Sequence, residues 1–464
     1  MGGERMSNIA LIATLLVIMA LAYHLGLTRS RAVAAEHDVR MHSRPGYYGA
    51  LVALWCGLPA LALFVLWSLL APQLIDMLVV QQLPPELVAG MSEREMNTLL
   101  RRITALANER NVAGGGSAEE LAAAAHMARL QTFQNTTLIA LMAVVAVVGL
   151  VFARRRISPQ WRARNHVERV ISIALASCSA IAIFTTVGIV LSMLGEALKF
   201  FSFISPAEFF LGTTWNPRFS TSGTDAQGEF GLLPLLWGTM MVSIIALLVA
   251  IPVGLMTAIY MAEYAPPWLR NVAKPIIEIL AGIPTIVYGF FALIVIGPFL
   301  SSLGDMVGIN IRTTSALTAG LVMGIMIIPF VSSLSDDIIT QVPKSLRDGA
   351  LGLGATKSET IRQVVLPAAL PGIVGAFLLA ASRAIGETMI VVLAAGNNPV
   401  LHGNPFEAVS TITVTIVNQL TGDMDFASPQ SLVAFALGLT LFVITLGLNV
   451  IALVVVRKYR QQYE

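Results

Sequence analysis

Long apolar stretches alternate with short polar, mostly basic ones along nearly the whole chain. A helix needs about 20 consecutive apolar residues to cross the hydrocarbon of a bilayer. Nine runs meet that length, at about 9–27, 49–70, 135–153, 168–194, 235–260, 275–300, 314–335, 368–395 and 431–456. The pattern predicts an all-α, polytopic membrane protein. The longest polar interruption, 71–134, contains Ser92-Glu93-Arg94-Glu95 and Ser117-Ala118-Glu119-Glu120, each with the spacing of a capping box, and Gly114-Gly115-Gly116 between them. Two helices outside the membrane are expected there.

Composition agrees with lipid as the surrounding medium. Of 464 residues, 56% are apolar and 12% charged, about half the charged fraction of a soluble domain. The net charge of +2 carries no broad basic face, so nucleic-acid binding is not expected. Cys56 and Cys178 both fall in apolar runs, which implies no disulfide framework. His24, His37, His42, His126, His166 and His402 show no metal-ligand spacing, so neither a metal site nor a cofactor is expected.

Basic residues set the orientation, because positive loops are retained in the cytoplasm. With the N-terminus outside, 18 of the 29 Lys and Arg fall in inside segments and 9 in outside ones. Arg154-Arg155-Arg156, followed by Arg162 and Arg164, is the strongest anchor. The N-terminus is therefore expected in the periplasm and the C-terminus in the cytoplasm. Ala20-Leu21-Ala22 resembles a signal-peptide cleavage site, but removing the first span would break this parity, and cleavage is not expected. The basic stretch also divides the chain. Residues 1–153 form an N-terminal extension with about three spans and the 71–134 excursion, and 154–464 form a six-span module.

The inside loop 336–367 is too long for a turn. Ser345 with Asp348 three residues later is expected to cap a short helix, Gly354 to end it, and Pro367 to mark entry into the next span. Gly349–Ser358 superficially looks like a phosphate-binding loop. Gly354, however, is followed by Ala355-Thr356, with Lys357 two places late, so this chain is not expected to bind ATP.

Within the eighth span lies Arg383-Ala384-Ile385-Gly386-Glu387-Thr388. An Arg at the centre of a membrane helix costs about 2.5–3.5 kcal/mol on insertion scales, so something must compensate it. Four residues apart, Arg383 and Glu387 are expected to share a helix face and to reach one another. Two readings follow: a buried ion pair that orders the bundle, or a transport site where Arg383 meets an oxyanion through charge-assisted hydrogen bonds, with Thr388 beside it and Glu387 either holding Arg383 when no anion is present or accepting a proton from a protonated substrate. Pro252, Pro284 and Gly289 lie within spans as hinges for alternating access or as ordinary kinks. Glu278 is expected to pair with Lys274.

The 345–367 stretch resembles the cytoplasmic coupling loop of ABC-importer permeases, Glu-Ala-Ala, three residues, Gly, nine residues, Ile, one residue, Leu-Pro. Here those places hold Asp348-Gly349-Ala350, Gly354, Val364 and Leu366-Pro367, with two departures at Asp348 and Gly349. Arg383 to Thr388, Phe230 to Thr239, Ala258 to Tyr264 and Gly282 to Gly289 are similar to the PstC-type permease of phosphate importers. Met389-Ile390-Val391-Val392 and Trp215-Asn216-Pro217 favour the C-type over the related PstA-type subunit.

The resemblance implies a type I, MetI-like permease core of six helices in the bacterial inner membrane, with about three extra N-terminal spans. It implies a second, PstA-type permease, two ATPase subunits and a periplasmic phosphate-binding protein as partners, with inorganic phosphate as cargo moved unaltered and ATP hydrolysed by a separate subunit. A permease for another oxyanion, molybdate or sulfate, remains open, as does a membrane signalling or scaffold protein.

Overall fold

The structure, a computed structural model, describes residues 2–37, 41–83, 93–107, 117–217, 228–422 and 428–460. Among them nine helices are long and apolar enough to cross a membrane, one for each predicted run. The chain divides into two compact units, Met1–Ile183 and Phe184–Glu464. The division falls inside a helix that begins just after the basic stretch.

The first unit contains α1 (Gly2–His37), α2 (Pro45–Gln82), α3 (Glu93–Ala107), α4 (Ala118–Arg155) and the start of α5 (Ala163–Phe203). Leu15, Tyr48, Leu51, Cys56, Leu138 and Met142 form its main core. At 38 residues, α2 and α4 are each about 57 Å long, almost twice the hydrocarbon thickness. Both spans therefore extend into the excursion, over 71–82 and 118–134. Ile75, Val79 and Leu83 of α2 meet Ala124 and Met127 of α4, and Ile103 of α3 packs among them.

Of the two outside helices expected, α3 is a separate helix and the second is not. The helix capped by Ser117 runs unbroken into the third span, because no Gly or Pro interrupts 118–148. Its capping box is formed: Ser117 Oγ accepts from the Glu120 N–H, and Glu120 Oε2 accepts from the Ser117 N–H at 3.0 Å. The other expected box begins at Ser92, and with Gly114-Gly115-Gly116 it lies outside the described residues.

The second unit continues α5 and adds α6 (Pro206–Leu211), β1 (Trp215–Asn216), β2 (Glu229–Phe230), α7 (Leu233–Ile259), α8 (Pro267–Ala281), α9 (Thr285–Phe291), α10 (Gly297–Val307) and α11 (Ala316–Gln341). After these come α12 (Lys344–Gly352), α13 (Lys357–Thr360), α14 (Leu366–Ile385), α15 (Met389–Ala394), α16 (Ile412–Gly422) and α17 (Pro429–Arg460). Small residues at the contacts, among them Ala246, Ala250, Ala316 and Ala319, bring helix backbones together around the core. Close van der Waals packing of this kind drives association where lipid removes the hydrophobic incentive. At one end an aromatic cluster of Phe200, Phe209, Phe230 and Trp215 is tied by the antiparallel pairing of Trp215 with Phe230.

Proline chemistry explains where the spans depart from single cylinders. The predicted sixth span is two helices, α8 and α9, separated at Gly282-Ile283-Pro284. Pro284 has no N–H to donate and biases Ile283 away from helical geometry, so it breaks the helix, whereas Pro252 stays inside α7. The eighth span starts earlier than predicted, at Lys357. It passes through a π-helical turn, Ile361–Val365, into α14, the wider turn relieving the crowding that Pro367 imposes.

Candidate functional site

Helix α12 is formed from Lys344, directly after Pro343, so Ser345 sits inside the helix and does not cap it. Pro343 decides the start by fixing φ ahead of the first turn. The far end is as the glycine predicts. Gly354 adopts φ +89, its N–H bonds to the Leu351 carbonyl and the Ala355 N–H to the Ala350 carbonyl, the two bonds of a Schellman cap. Thr356 and Glu359 then form a capping box that starts α13. The result is a hairpin of two short helices in which Asp348, Gly349 and Gly354 are solvent-exposed. Leu353, at its tip, is 92% exposed.

This hairpin is anchored through Arg347. Its Nη2 donates to the Ile339 carbonyl at 2.6 Å and its Nη1 to the Val342 carbonyl at 3.0 Å. Nη2 also lies 3.0 Å from Oε1 of Glu263, which sits in the π-helical turn Tyr260–Tyr264 at the end of α7. On the other side Val365, Ala369 and Ile373 pack with Ala258, Ile339 and Val342. Of the coupling positions, Leu366 and Pro367 open α14 and Val364 belongs to the π turn before it. Arg347 thus fastens α12 to the ends of α7 and α11.

A second ionic cluster joins α8 to α11. Asp336, 2% exposed, accepts from Arg270 Nη2 at 3.1 Å and from Lys274 Nζ at 2.8 Å, and Lys274 also bonds Asp337 at 2.9 Å. The hydrogen bond to Asp336, and then that to Asp337, pushes the Lys274 ammonium above its ordinary pKa. The expected Lys274–Glu278 pair is not formed. Glu278 lies on the exposed side of α8, and Lys274 turns instead to two carboxylates on α11.

Helix α14 ends at Ile385 with Gly386 as its cap, and the chain re-enters a helix only at Met389. This break separates Arg383 from Glu387. Arg383 remains on the last turn of α14, exposed, with its guanidinium 5.5 Å from the Phe330 ring centre and Nη2 3.9 Å from the Met326 sulphur. Among the described residues it forms no ion pair. Glu387 instead turns back to the backbone, where Oε1 accepts from the Met389 N–H at 3.1 Å. The predicted Arg383–Glu387 pair is therefore absent, and with it the reading of a buried ion pair that orders the bundle. The physical reason is the interruption itself: i, i+4 proximity requires helix between the two residues.

Hydroxyls surround the break, and sequence reading missed them. Thr413 Oγ1 donates to the Glu387 carbonyl at 2.9 Å and lies 3.0 Å from Thr411 Oγ1. Thr239 Oγ1 on α7 accepts from the Ile412 N–H at 3.1 Å. Thr388 Oγ1 donates to the Gly386 carbonyl at 3.3 Å. Thr239, Ser243, Thr411 and Thr413 thus line the space beside Glu387, together with Val242, Ala384 and Val391. The alternation Ser410-Thr411-Ile412-Thr413-Val414-Thr415 was the available signal. It lay in a segment read as an outside loop, where α16 forms instead.

A multi-spanning permease subunit of an ATP-driven, binding-protein-dependent importer is the class this architecture defines. The family described as "Phosphate ATP-binding cassette transporter" matches residues 12–185, and the "Binding-protein-dependent transport system inner membrane component" family matches 250–461. The chain is 37% identical over 274 residues to the probable ABC transporter permease YqgH of Bacillus subtilis, spanning 58% of this chain and 85% of that protein. It is 36% identical over 272 residues to the phosphate transport system permease PstC of Mesorhizobium japonicum, spanning 55% and 79%. A solved bacterial alginate ABC transporter matches 65% of this chain and 99% of its own at 16% identity, with a TM-score of 0.42. The chain belongs to the family of PstC-type phosphate transport system permeases.

Membership settles several expectations. The protein is an inner-membrane, multi-pass transporter subunit rather than an enzyme, and ATP hydrolysis belongs to a separate subunit. The family works with a partner permease, ATPases and a substrate-binding protein.

Proposed function

We infer that this chain forms half of the translocation pathway of a phosphate importer and that Arg383, Glu387 and Thr388 line that pathway. The observation that carries the reading is the uncommitted guanidinium of Arg383. It projects from a helix end in an apolar span, beside an unwound Gly386–Thr388 turn, with no carboxylate pairing it among the described residues. A membrane-embedded cation left without a counter-ion is complementary to a transported anion, and phosphate offers several oxygens to a planar, multi-donor guanidinium. Glu387, bonded to backbone, shapes the turn and stands beside the path as an acceptor for the proton of a protonated phosphate. Its negative charge also disfavours full anions such as sulfate, which have no proton to donate.

The partners of this reading are a PstA-type permease, two ATPase subunits and a periplasmic phosphate-binding protein. The hairpin around Asp348, Gly349, Ala350 and Gly354 is the ATPase-facing handle, continued by Val364, Leu366 and Pro367. The N-terminus is periplasmic and the C-terminus cytoplasmic, with 154–464 as the permease domain and 1–153 as its extension.

Uptake of radiolabelled phosphate into cells lacking any paralogue tests the assignment, with molybdate and sulfate as competing substrates. Arg383→Gln is expected to abolish phosphate uptake while the complex still assembles. Normal uptake by Arg383→Gln removes the site, and uptake of sulfate or molybdate in preference to phosphate removes the substrate.

A further inference from the structure

In the first unit, away from the translocation residues, two loops are stitched together beneath a groove. The His42 N–H donates to the Pro159 carbonyl at 3.0 Å, Ser43 Oγ accepts from the Arg164 N–H at 3.1 Å, and the Tyr48 hydroxyl donates to the Trp161 carbonyl at 2.8 Å. Ser43 and Tyr48 are buried, so the two loops that carry His42 and Arg164 are held together. His42, Arg164, Asn165, Glu168, Arg169 and Ser172 line the groove.

Its charge is specific. Arg164 is paired with Glu168, which leaves Arg169 as the lining cation with no ion pair among the described residues, beside the His42 ring, the Asn165 amide and the Ser172 hydroxyl. Asn165, Glu168, Arg169 and Ser172 recur at i, i+3, i+4 and i+7 on one face of α5. The same face continues into Leu175, which is 66% exposed. Arg164 to Arg169 spans about 7.5 Å along the axis, close to the depth of the polar headgroup layer on one side of a bilayer.

We propose that this groove seats the phosphodiester of an anionic phospholipid, with an acyl chain lying along the apolar face of α5 that begins at Ile171 and Leu175. A phosphodiester carries one negative charge and so suits a groove in which Arg169 is the lining cation without an ion pair. Free phosphate at neutral pH carries more, and it has no use for the adjoining apolar face. Basic pockets at the membrane surface recognise lipid headgroups by this chemistry. Which leaflet supplies the lipid rests on the orientation given above. Whether lipid binds does not, so the two readings fail separately.

The test is lipid retention by the full chain, purified in mild detergent after equilibration with vesicles of equal phosphatidylglycerol and phosphatidylcholine and read by native mass spectrometry. Wild type is expected to retain phosphatidylglycerol in preference to phosphatidylcholine. Arg169→Gln should lower the affinity about fivefold, equivalent to about 1 kcal/mol for one basic residue near the membrane surface. Arg162→Gln removes the same charge from an exposed residue outside the groove lining and is expected to change retention less than about twofold. Equal losses in the two variants would show diffuse surface charge and overturn the proposal. So would equal retention of phosphatidylcholine, or displacement of the lipid by inorganic phosphate.

Discussion

Arg347 on the coupling hairpin lies 3.0 Å from Glu263 at the end of α7, across 84 residues of sequence, and the two side chains are only 18% and 11% exposed. This pair, with the carbonyls of Ile339 and Val342, ties the hairpin to the ends of α7 and α11. Glu263→Gln is expected to weaken the tie by about 1–3 kcal/mol while leaving the two carbonyl contacts. In proteoliposomes containing the whole importer, the ratio of phosphate imported to ATP hydrolysed should fall. An unchanged ratio would place the coupling elsewhere.

Asp336 is clamped by two cations, so neutralising it leaves Arg270 without a carboxylate and Lys274 with Asp337 alone. Asp336→Asn is expected to destabilise the protein by about 3–5 kcal/mol, the cost of breaking a buried ionic group by removing one partner. Thermal unfolding of the purified chain reads this directly. Asp337→Asn touches only the exposed arm of Lys274 and should cost less than about 1 kcal/mol.

Because Arg383 and Glu387 do not touch, their contributions to stability should add. The double variant Arg383→Gln, Glu387→Gln is expected to match the sum of the singles within about 0.5 kcal/mol. A coupling above about 1 kcal/mol would mean that the helix break closes and the ion pair forms.

Two glycines should respond oppositely to Ala. A Cβ at Gly238 would stand 2.1 Å from the Ser410 carbonyl oxygen, so Gly238→Ala must push α7 away from the 396–411 loop, which Trp237 holds through its bond to the His402 carbonyl. A loss of about 1–3 kcal/mol is expected. A Cβ at Gly349 meets nothing within 4 Å, and the helix there is regular. Gly349→Ala should stabilise the hairpin by about 0.5–1 kcal/mol, seen as a higher melting temperature with transport retained.

Much of the site was legible because its signals are local. The Gly354 helix end and Arg383 as a charge needing an explanation follow from residues within a few positions of one another. The hydroxyl shelf of Thr239, Thr411 and Thr413 was not, since Thr239 meets Ile412 across 173 residues and no short-range pattern records that meeting. The Lys274 pairing failed for the same reason. Glu278 is its neighbour along one helix, but a carboxylate 62 residues away on a packed helix offers a better-shielded partner.

Nine spans, a capped polar excursion and a helical hairpin between the seventh and eighth spans are consequences of composition and spacing alone, because lipid demands apolar length and satisfied backbone groups. The sequence also marked Arg383 as a charge needing an explanation. Only the tertiary structure decided what that charge does. Once α14 stopped at Gly386, with Thr413 bonded to the Glu387 carbonyl, the nearest acid in sequence turned to the backbone instead, and Arg383 was left without an ion pair among the described residues.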